Sequence, residues 1–584
     1  GSPSGTLGLR LAARAANLDD FFRNDATGKG EGGSEETAVR FSAVWQPIDR
    51  LLFDFKVEHG AMELNGNLGE QWGPDELKQL LLLGLDAGDD GKLNWRRDMD
   101  ASFQPTLSTV LTGRDQPGLE QDDTSLVLNA GYDLENHRLS ATLAHSRSDW
   151  SSYTDGDASA LPILDLAFDE TFEQDSAEFR LTSDTGGRFD YIAGLYFLDS
   201  RLENQQPNIF EPTFTLSPGL YGFDHIHTAS SFQRETQLFS MFASGTWHLD
   251  DRWHFTLGVR YSDEDKDYDR QATCLPVRDG IIDFNPSETD QAVIDANSQA
   301  LLCATLDGYS DSRQSDNWMP EASLRWDMND DIQWYGKYAN SAKSGGWVAS
   351  TIAIESLVEY NDETASSWEL GMRSYLHQRT LSLNMAVFRS RFDDMQVNAF
   401  DPATASAGVL NAAEAKSQGF EADLTWQAAD WLSLFASYAY LDATYIKFED
   451  AECPISEQLA GKPPPCDASG KRLPMAPEHS LGLMADVRHT LPSGPVLLAG
   501  LNIGYNSEYF SDAAMEPALA QDAYTTWGAR LGLEAADGRW LLSLVGTNLG
   551  NEAVLNNSQP FFSNIGFLRS PRRVWLQGSW HFGE

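Results

Sequence analysis

The chain has 584 residues, a formal net charge of −45 and a sequence pI of about 4.4. A chain this acidic repels phosphate groups, which excludes a nucleic acid as its partner. The mean hydropathy is −0.39, and the longest apolar run, Leu80–Leu85, is far shorter than the ~20 residues that a membrane-spanning helix needs.

Segments in which apolar and polar residues alternate recur along the whole chain, and each one predicts a β-strand. No linker or break in composition separates them, so the sequence predicts one large all-β unit of about twenty strands. In chain order the segments are Thr6–Asn17, Glu36–Gln46, Leu51–His59, Asp123–Tyr132, His137–Asp149, Phe172–Ser183, Phe189–Ser200, the hairpin Leu238–Ser262, Asn317–Asp327, Ile332–Ala342, Thr364–Leu376, Thr380–Asp394, Gln418–Ala428, Trp431–Tyr445, Glu478–His489, Val496–Tyr509, Ala523–Ala535, Trp540–Asn548 and Arg573–Phe582.

The hairpin Leu238–Ser262 shows the alternation most clearly, and Phe242 is its one residue out of pattern. One face of such a hairpin meets an apolar medium and the other a polar one. A soluble sandwich and an outer-membrane barrel both meet this condition, so the hairpin alone leaves both open. In its second arm, Trp253, Phe255, Leu257, Val259 and Tyr261 alternate with His254, Thr256, Gly258 and Arg260.

The connections between the predicted strands largely alternate in length. One set has two to six residues, mostly rich in Asp, Gly, Asn or Pro, and the other reaches about sixty residues. Short turns on one side and long loops on the other are typical of a transmembrane antiparallel up-and-down β-barrel with periplasmic turns and extracellular loops. The longest connection, about Ala61–Gln121, is predicted to be a non-strand insertion in which DELKQLLLLGL has the composition of a short helix.

The four cysteines form two local pairs in long connections. Their even number and placement favour the disulfides Cys274–Cys303 and Cys453–Cys466, formed in an oxidising compartment, with free thiols as the alternative. Neither pair has the close spacing of zinc ligands, so no metal site is predicted.

Further segments stand out in order along the chain. They are TWHLDDRWHFTLGVRYSDEDK in the hairpin, Asp316–Arg325, Tyr335–Trp347, Glu363–Arg373, Asn384–Gln396, Asn411–Leu424, Val545–Glu552 and the closing Pro571–Phe582. In order and spacing they resemble the barrel of TonB-dependent outer-membrane receptors. The closing strand ends in Phe582, like the C-terminal assembly signal of such barrels, although Gly583 and Glu584 follow it.

The resemblance implies a barrel of about 22 strands and an N-terminal plug that carries the segment contacted by TonB. No plug-like segment precedes the first predicted strand, and GSPSGTLGLRLAAR is similar to the family's third strand. We therefore expect residues 1–584 to be the outer-membrane barrel without its plug and first hairpin, which are either truncated or on another chain.

The resemblance also implies a function: energised uptake of a large scarce nutrient, most often a ferric siderophore, at the outer membrane of a Gram-negative bacterium. The implied partners are outer-membrane lipid, the plug, the TonB–ExbB–ExbD system acting through it, and a small-molecule or metal-chelate ligand; no cofactor is implied. A passive porin-like channel and a barrel that binds partners through its loops remain alternatives.

Candidate ligand residues lie in the predicted loops. His225 and His227 form an H-x-H sequence before the hairpin and could contact a metal or haem, with solvated loop histidines as the alternative. Trp347, Phe561 and Phe562 are aromatic candidates for contact with a siderophore, a cobalamin or a sugar.

Three arginines are predicted to face the lumen: Arg260, Arg373 and Arg389. They could guide an anionic chelate or pair with acidic residues on neighbouring strands. No enzyme is predicted, because GxSxG does not occur and His and Ser residues lack a recognisable nucleophile–base pairing.

Overall fold

The computed structural model describes residues 6–24, 28–66, 69–71, 96–97, 118–155, 164–183, 186–210, 225–278, 281–283, 285–296, 308–348, 358–401, 406–463, 465–560 and 564–582. Twenty long strands form its main sheet. They are β1 (Leu7–Leu18), β2 (Ser34–Ile48), β3 (Leu51–Asn65), β4 (Gly118–Asp133), β5 (His137–Asp155), β6 (Leu164–Ser183), β7 (Phe189–Phe210), β8 (His225–His248), β9 (Trp253–Arg278), β10 (Tyr309–Asn329), β11 (Ile332–Lys343), β12 (Glu363–Leu376), β13 (Leu381–Asp401), β14 (Ser406–Ala429), β15 (Leu432–Lys447), β16 (His479–Thr490), β17 (Val496–Asn506), β18 (Tyr524–Glu534), β19 (Trp540–Thr547) and β20 (Arg573–Trp580).

The strands pair antiparallel in chain order, β1 with β2, β2 with β3 and so on to β19 with β20. Each predicted single segment falls on one of them, and the predicted hairpin falls on two, β8 and β9. The predicted fold class, an antiparallel up-and-down barrel sheet of about twenty strands, is confirmed.

Short turns join the strands at one end of the sheet, and polar side chains fix them. Asp250 Oδ1 accepts hydrogen bonds from the backbone N–H groups of Arg252 at 2.8 Å and Trp253 at 2.9 Å. Asn329 Oδ1 accepts one from the backbone of Asp331 at 2.9 Å. Asp and Asn favour turns because their short side chains can bond the backbone a few residues further on.

At the other end, the strands extend well past the segments that the alternation predicted. Strand β9 continues to Arg278, and β10 begins at Tyr309, whereas the apolar pattern stops near Ser262 and starts again near Asn317. The added pairs are polar, such as Asp265 opposite Gln314. Backbone pairing does not require apolar side chains, so a strand can outlast the pattern that reveals it.

The connections at this end contain the shorter elements. Among the described residues, no helix is long and apolar enough to cross a membrane. The helix predicted within DELKQLLLLGL lies outside the described residues. The shorter elements are helices α1 (Glu288–Ala296) and α2 (Ile455–Leu459), a 3₁₀ turn (Pro517–Leu519), and the strands Phe22–Asn24, Gly30–Glu31, Gly69–Gln71, Arg96–Arg97, Ile281–Ile282, Gly346–Trp347, Glu359–Tyr360, Tyr509–Phe510, Ala520–Gln521, Leu555–Pro560 and Asn564–Leu568.

The two faces of the sheet differ in polarity, as the period of two requires. Leu257 points outward and is 49 % exposed. The inward Thr246 and Thr256 join their hydroxyl groups at 2.9 Å. A broad apolar surface left exposed on the outer face suits lipid rather than water, which favours the barrel over the sandwich.

Stacked aromatic rings mark the outer face near the short turns. The rings of Trp253 and Trp326 stack with centroids 5.4 Å apart, and those of Trp45 and Phe53 at 5.5 Å. Aromatic girdles at this level are a regular feature of membrane barrels, where the rings sit at the lipid–water interface.

Candidate functional site

A polar lining covers the inner wall of the sheet. Lys337 Nζ lies 3.1 Å from Glu321 Oε2, Tyr335 Oη donates to a Glu369 carboxylate oxygen at 2.6 Å, and other inward pairs span neighbouring strands in the same way. The wall therefore suits water and polar solutes.

Arg260 faces inward, as predicted, and its guanidinium group is held by hydroxyl groups. It donates through Nη2 to Ser240 Oγ at 2.9 Å and through Nε to Ser262 Oγ at 3.2 Å. Its Cζ atom lies 5.6 Å from the centroid of the Tyr196 ring. In the sheet register, Arg260 stands opposite Phe242, which places that aromatic residue on the inner wall.

The other two predicted lumen arginines lie on different faces. Arg373 faces inward, with its Cζ atom 5.2 Å from the Tyr335 ring centroid. Arg389 stands opposite Trp368, which is 62 % exposed on the outer face, so the prediction that Arg389 faces the lumen is wrong. The pattern misled because Phe388, an apolar residue, occupies the inward position beside it.

Trp347 lies at the end of the sheet opposite the short turns, where it is buried rather than open to a ligand. Its ring stacks on Tyr268 with centroids 5.3 Å apart, and its Nε1 donates to Asp311 Oδ2 at 3.4 Å. Phe232 and Val358 complete the buried cluster. In this structure Trp347 anchors the segment between β11 and β12 to the wall.

Asp362 clamps the other end of the same segment. It accepts hydrogen bonds from Ser315, from the Gly345 backbone at 2.8 Å, and from Asn317 at 3.1 Å, while Arg313 Nη2 lies 2.9 Å away. Burial alone would raise the pKa of this carboxyl group, but these donors outweigh it and lower the pKa to about 2. The clamp is therefore ionised throughout the physiological pH range.

The structure describes the other candidate ligand residues only in part. His225 and His227 lie at the start of β8 rather than in a loop. The side chain of His227 is buried, with 3 % of its surface exposed. The side chain of His225 is not among those that the structure describes. Phe561 and Phe562 lie outside the described residues. Their roles stay predictions. Among the described residues, no three His, Cys, Asp or Glu side chains are grouped to hold a metal ion.

Of the two predicted disulfides, the structure confirms one and leaves the other as a prediction. Cys453 and Cys466 are bonded to each other, 13 residues apart in sequence, so that pairing is confirmed. Cys274, on β9, is buried and disulfide-bonded. Its predicted partner, Cys303, lies outside the described residues, so that pairing stays a prediction.

A second loop contact was not predicted from the sequence. The Ser456 backbone, in the disulfide-braced segment, donates to Glu516 Oε2 at 3.0 Å. Asp512 is buried four residues earlier and, in the part of the chain that the structure describes, its Oδ2 atom has no hydrogen-bond partner. Burial and the nearby Glu516 charge raise the pKa of Asp512 to about 6.

These residues escaped prediction because long polar connections give no periodic signal. Asp512 and Glu516 are spaced i and i+4 but no helix pattern surrounds them. Phe242 did carry a signal, since it alone broke the alternation of its strand.

Comparison with known proteins agrees with the family resemblance that the sequence motifs indicated. The model of the family described as "TonB dependent receptor-like, beta-barrel" matches residues 71–549. The ferric-pyoverdine M114 receptor PbuA of Pseudomonas sp. strain M114 is 24 % identical over 251 residues, which span 42 % of this chain and 27 % of that receptor. The match thus covers about a quarter of that relative's length.

Two solved structures share the fold. The ferric yersiniabactin uptake receptor FyuA of Yersinia pestis aligns with a TM-score of 0.74 and 16 % identity, over 99 % of this chain and 76 % of that one. The siderophore receptor PiuA of Acinetobacter baumannii aligns with a TM-score of 0.71 and 15 % identity, over 99 % and 78 %. At such identities the likeness establishes the fold alone.

Proposed function

Because this chain belongs to the TonB dependent receptor-like beta-barrel family, we propose that it is the barrel of a receptor for energised uptake of a ferric siderophore. It lies in the outer membrane of a Gram-negative bacterium, as receptors of this family do. The relatives named above as ferric siderophore receptors suggest the ligand class.

The observation that carries the proposal is the opposite polarity of the two faces of one continuous sheet. Leu257 and its outward neighbours meet lipid, while the inner wall is polar. A barrel of this strand number encloses a lumen wide enough for a bulky solute. Anchored segments at the extracellular end, such as the one held by Trp347 and Asp362, form its mouth.

In this proposal a plug controls passage. An unfilled lumen of this width would pass water and small solutes freely, so selective uptake needs a segment that fills it. The TonB system would move that segment to open a path. The barrel itself would bind and guide the ligand and would perform no bond chemistry.

Uptake of ⁵⁵Fe-labelled siderophores tests the proposal. The receptor, its barrel together with its plug, is expressed in cells that lack their own siderophore receptors, and uptake is compared with matched cells that also lack TonB. We expect saturable uptake of at least one siderophore that disappears without TonB.

Two other results would favour the alternatives. Uptake that neither saturates nor requires TonB, together with steady conductance in planar bilayers, would indicate a passive channel. Adhesion to cells or matrix without any solute uptake would indicate a partner-binding barrel.

A further inference from the structure

Phe242 is an aromatic side chain on a wall of hydroxyl groups and charges. Its inward neighbours on β8 are Ser240 and Ser244. The register places Phe242 opposite Gly194 on β7, and a Cβ atom at that glycine would lie 2.4 Å from the Phe242 ring. The ring therefore occupies space that only a glycine leaves free.

Two arginines flank this ring on the same inner row. Arg180, opposite Gly194 on β6, has its Cζ atom 5.8 Å from the Phe242 centroid and forms an ion pair with Glu178. Arg260 stands on the other side, on β9. The row thus reads Arg180, Phe242, Arg260 across four strands.

Arg260 differs from Arg180 in its charge balance. Among the described residues, its hydrogen bonds go to the hydroxyl groups of Ser240 and Ser262, and no carboxylate pairs with it. Ser240 and Ser262 bond each other at 2.8 Å, which fixes the acceptors and hence the guanidinium plane. A charge left without a carboxylate is notable in a chain with net charge −45.

The N–H donors of Arg260 that the two serines do not use determine which ligand groups it could bind. A guanidinium group carries five N–H donors, and the two contacts with serine leave donors for a further acceptor. Planar anions such as carboxylates match this fork. The faces of Phe242 and Tyr196 beside it offer stacking to a flat ring.

The position along the strand also suits a ligand. Arg260 precedes Tyr261, the last aromatic residue of the outward apolar row before Asp263. It therefore lies at the top of the membrane-facing band, about 26 Å of strand below Tyr268 and the Trp347 cluster. A ligand passing the mouth would meet this level next.

We propose that Arg260, Phe242 and Tyr196 form a subsite on the lumen wall for a planar anionic group of the ligand, a catecholate or a carboxylate. This inference rests on the proposed receptor function and deepens it, since it assigns the transported chelate a negative charge.

Equilibrium dialysis of the full chain, folded in detergent micelles, against two ⁵⁵Fe chelates tests the subsite. One is the anionic ferric complex of 2,3-dihydroxybenzoate, and the other is the uncharged ferric complex of acetohydroxamate. We expect Arg260→Gln to weaken binding of the anionic chelate about tenfold, as loss of a charge-assisted hydrogen bond predicts, and to leave the uncharged one unchanged. Phe242→Leu should weaken binding of the aromatic chelate about threefold or more, because a stacking ring is lost.

Arg40→Gln is the matched control. Arg40 also faces the lumen but is already held by both carboxylate oxygens of Glu58, at 2.7 and 2.9 Å, so its loss should not change chelate binding. Heat-modifiable migration on gels confirms that each variant is folded. Equal weakening by Arg40→Gln and Arg260→Gln, or equal weakening of both chelates, would overturn the subsite.

The dialysis tests the subsite and the uptake assay tests the receptor function, so either proposal can be contradicted while the other stands. If cells take up siderophore through TonB but Arg260→Gln binds the anionic chelate like the unaltered chain, the subsite is wrong and the receptor function stands. If the subsite variants behave as expected but no siderophore is taken up, the receptor function is wrong.

Discussion

Neighbouring residues on a barrel strand meet opposite surroundings, so their tolerance to the same substitution should differ. Leu257 is outward and exposed to lipid, and the adjacent Thr256 is inward and bonded to Thr246 at 2.9 Å. Transfer of a charged side chain into lipid is costly, while the lumen wall accepts charges.

Leu257→Arg should therefore destabilise the barrel more than Thr256→Arg. The expected difference is about 2–4 kcal/mol if Leu257 lies near the bilayer midplane. Urea titrations of the folded fraction in lipid vesicles measure it. Equal effects of the two substitutions would show that the faces are assigned wrongly.

Strands and loops differ in how far the sequence specifies them. The membrane-facing part of each strand follows from alternation, because lipid on one face and water on the other impose a period of two. The polar extensions of β9 and β10 carry no such signal, so their true length could not be predicted. The mouth contacts were less predictable still, since Trp347 is as suited to a buried stack as to an open ligand contact.

The sequence predicted the inner-wall position of Arg260 but not its neighbours' roles. Arg389 was misplaced because a polar residue was assumed to be inward, whereas Phe388 occupies that side. The buried Asp512 could not be found at all, since burial in a loop depends on contacts distant in sequence, such as that of Ser456 with Glu516.

The loop that contains Asp512 should pack more firmly in acid. Its pKa is raised from 3.8 to about 6 in the folded loop, so between these values the packed loop holds a proton that the open loop has released. The contribution of Asp512 to the free energy that favours the packed loop over the open loop is then fully present below about pH 4. It decreases as the pH rises through 6, by about 3 kcal/mol in total.

Hydrogen exchange of residues 507–519, corrected for the intrinsic pH effect, should show stronger protection at pH 5 than at pH 7.5. Asp512→Asn should be protected alike at both values, because the amide stays neutral. Asp467 is exposed and lies in the disulfide-braced segment that contacts Glu516 through Ser456. Asp467→Asn therefore serves as the control and should retain the difference in protection between the two pH values. Protection that rises with pH would contradict the assignment.

At the level of the whole molecule, charge is the dominant feature. Acidic residues exceed basic ones by 87 to 42, and such an excess destabilises a compact state through self-repulsion. Salt screens this repulsion, with a Debye length of about 10 Å at 0.1 M.

The temperature of thermal unfolding in a non-ionic detergent should therefore rise between 10 and about 300 mM NaCl, as the screening length falls. Near-ultraviolet circular dichroism follows the transition. Sucrose at matched osmolarity is the control for effects other than screening. An unfolding temperature that falls with salt would mean that attractive ion pairs, such as Arg40 with Glu58, outweigh the repulsion.

Because each strand pairs with its neighbours in the chain, the register of the wall does not depend on the length or content of any connection at the mouth. Doubling the length of a flexible loop costs only about 0.6 kcal/mol in closure entropy. Insertions, deletions and exchanges between related genes can therefore accumulate at one end of the molecule while the sheet is inherited intact. A lineage built on this plan can change what it recognises without having to evolve a new way to fold.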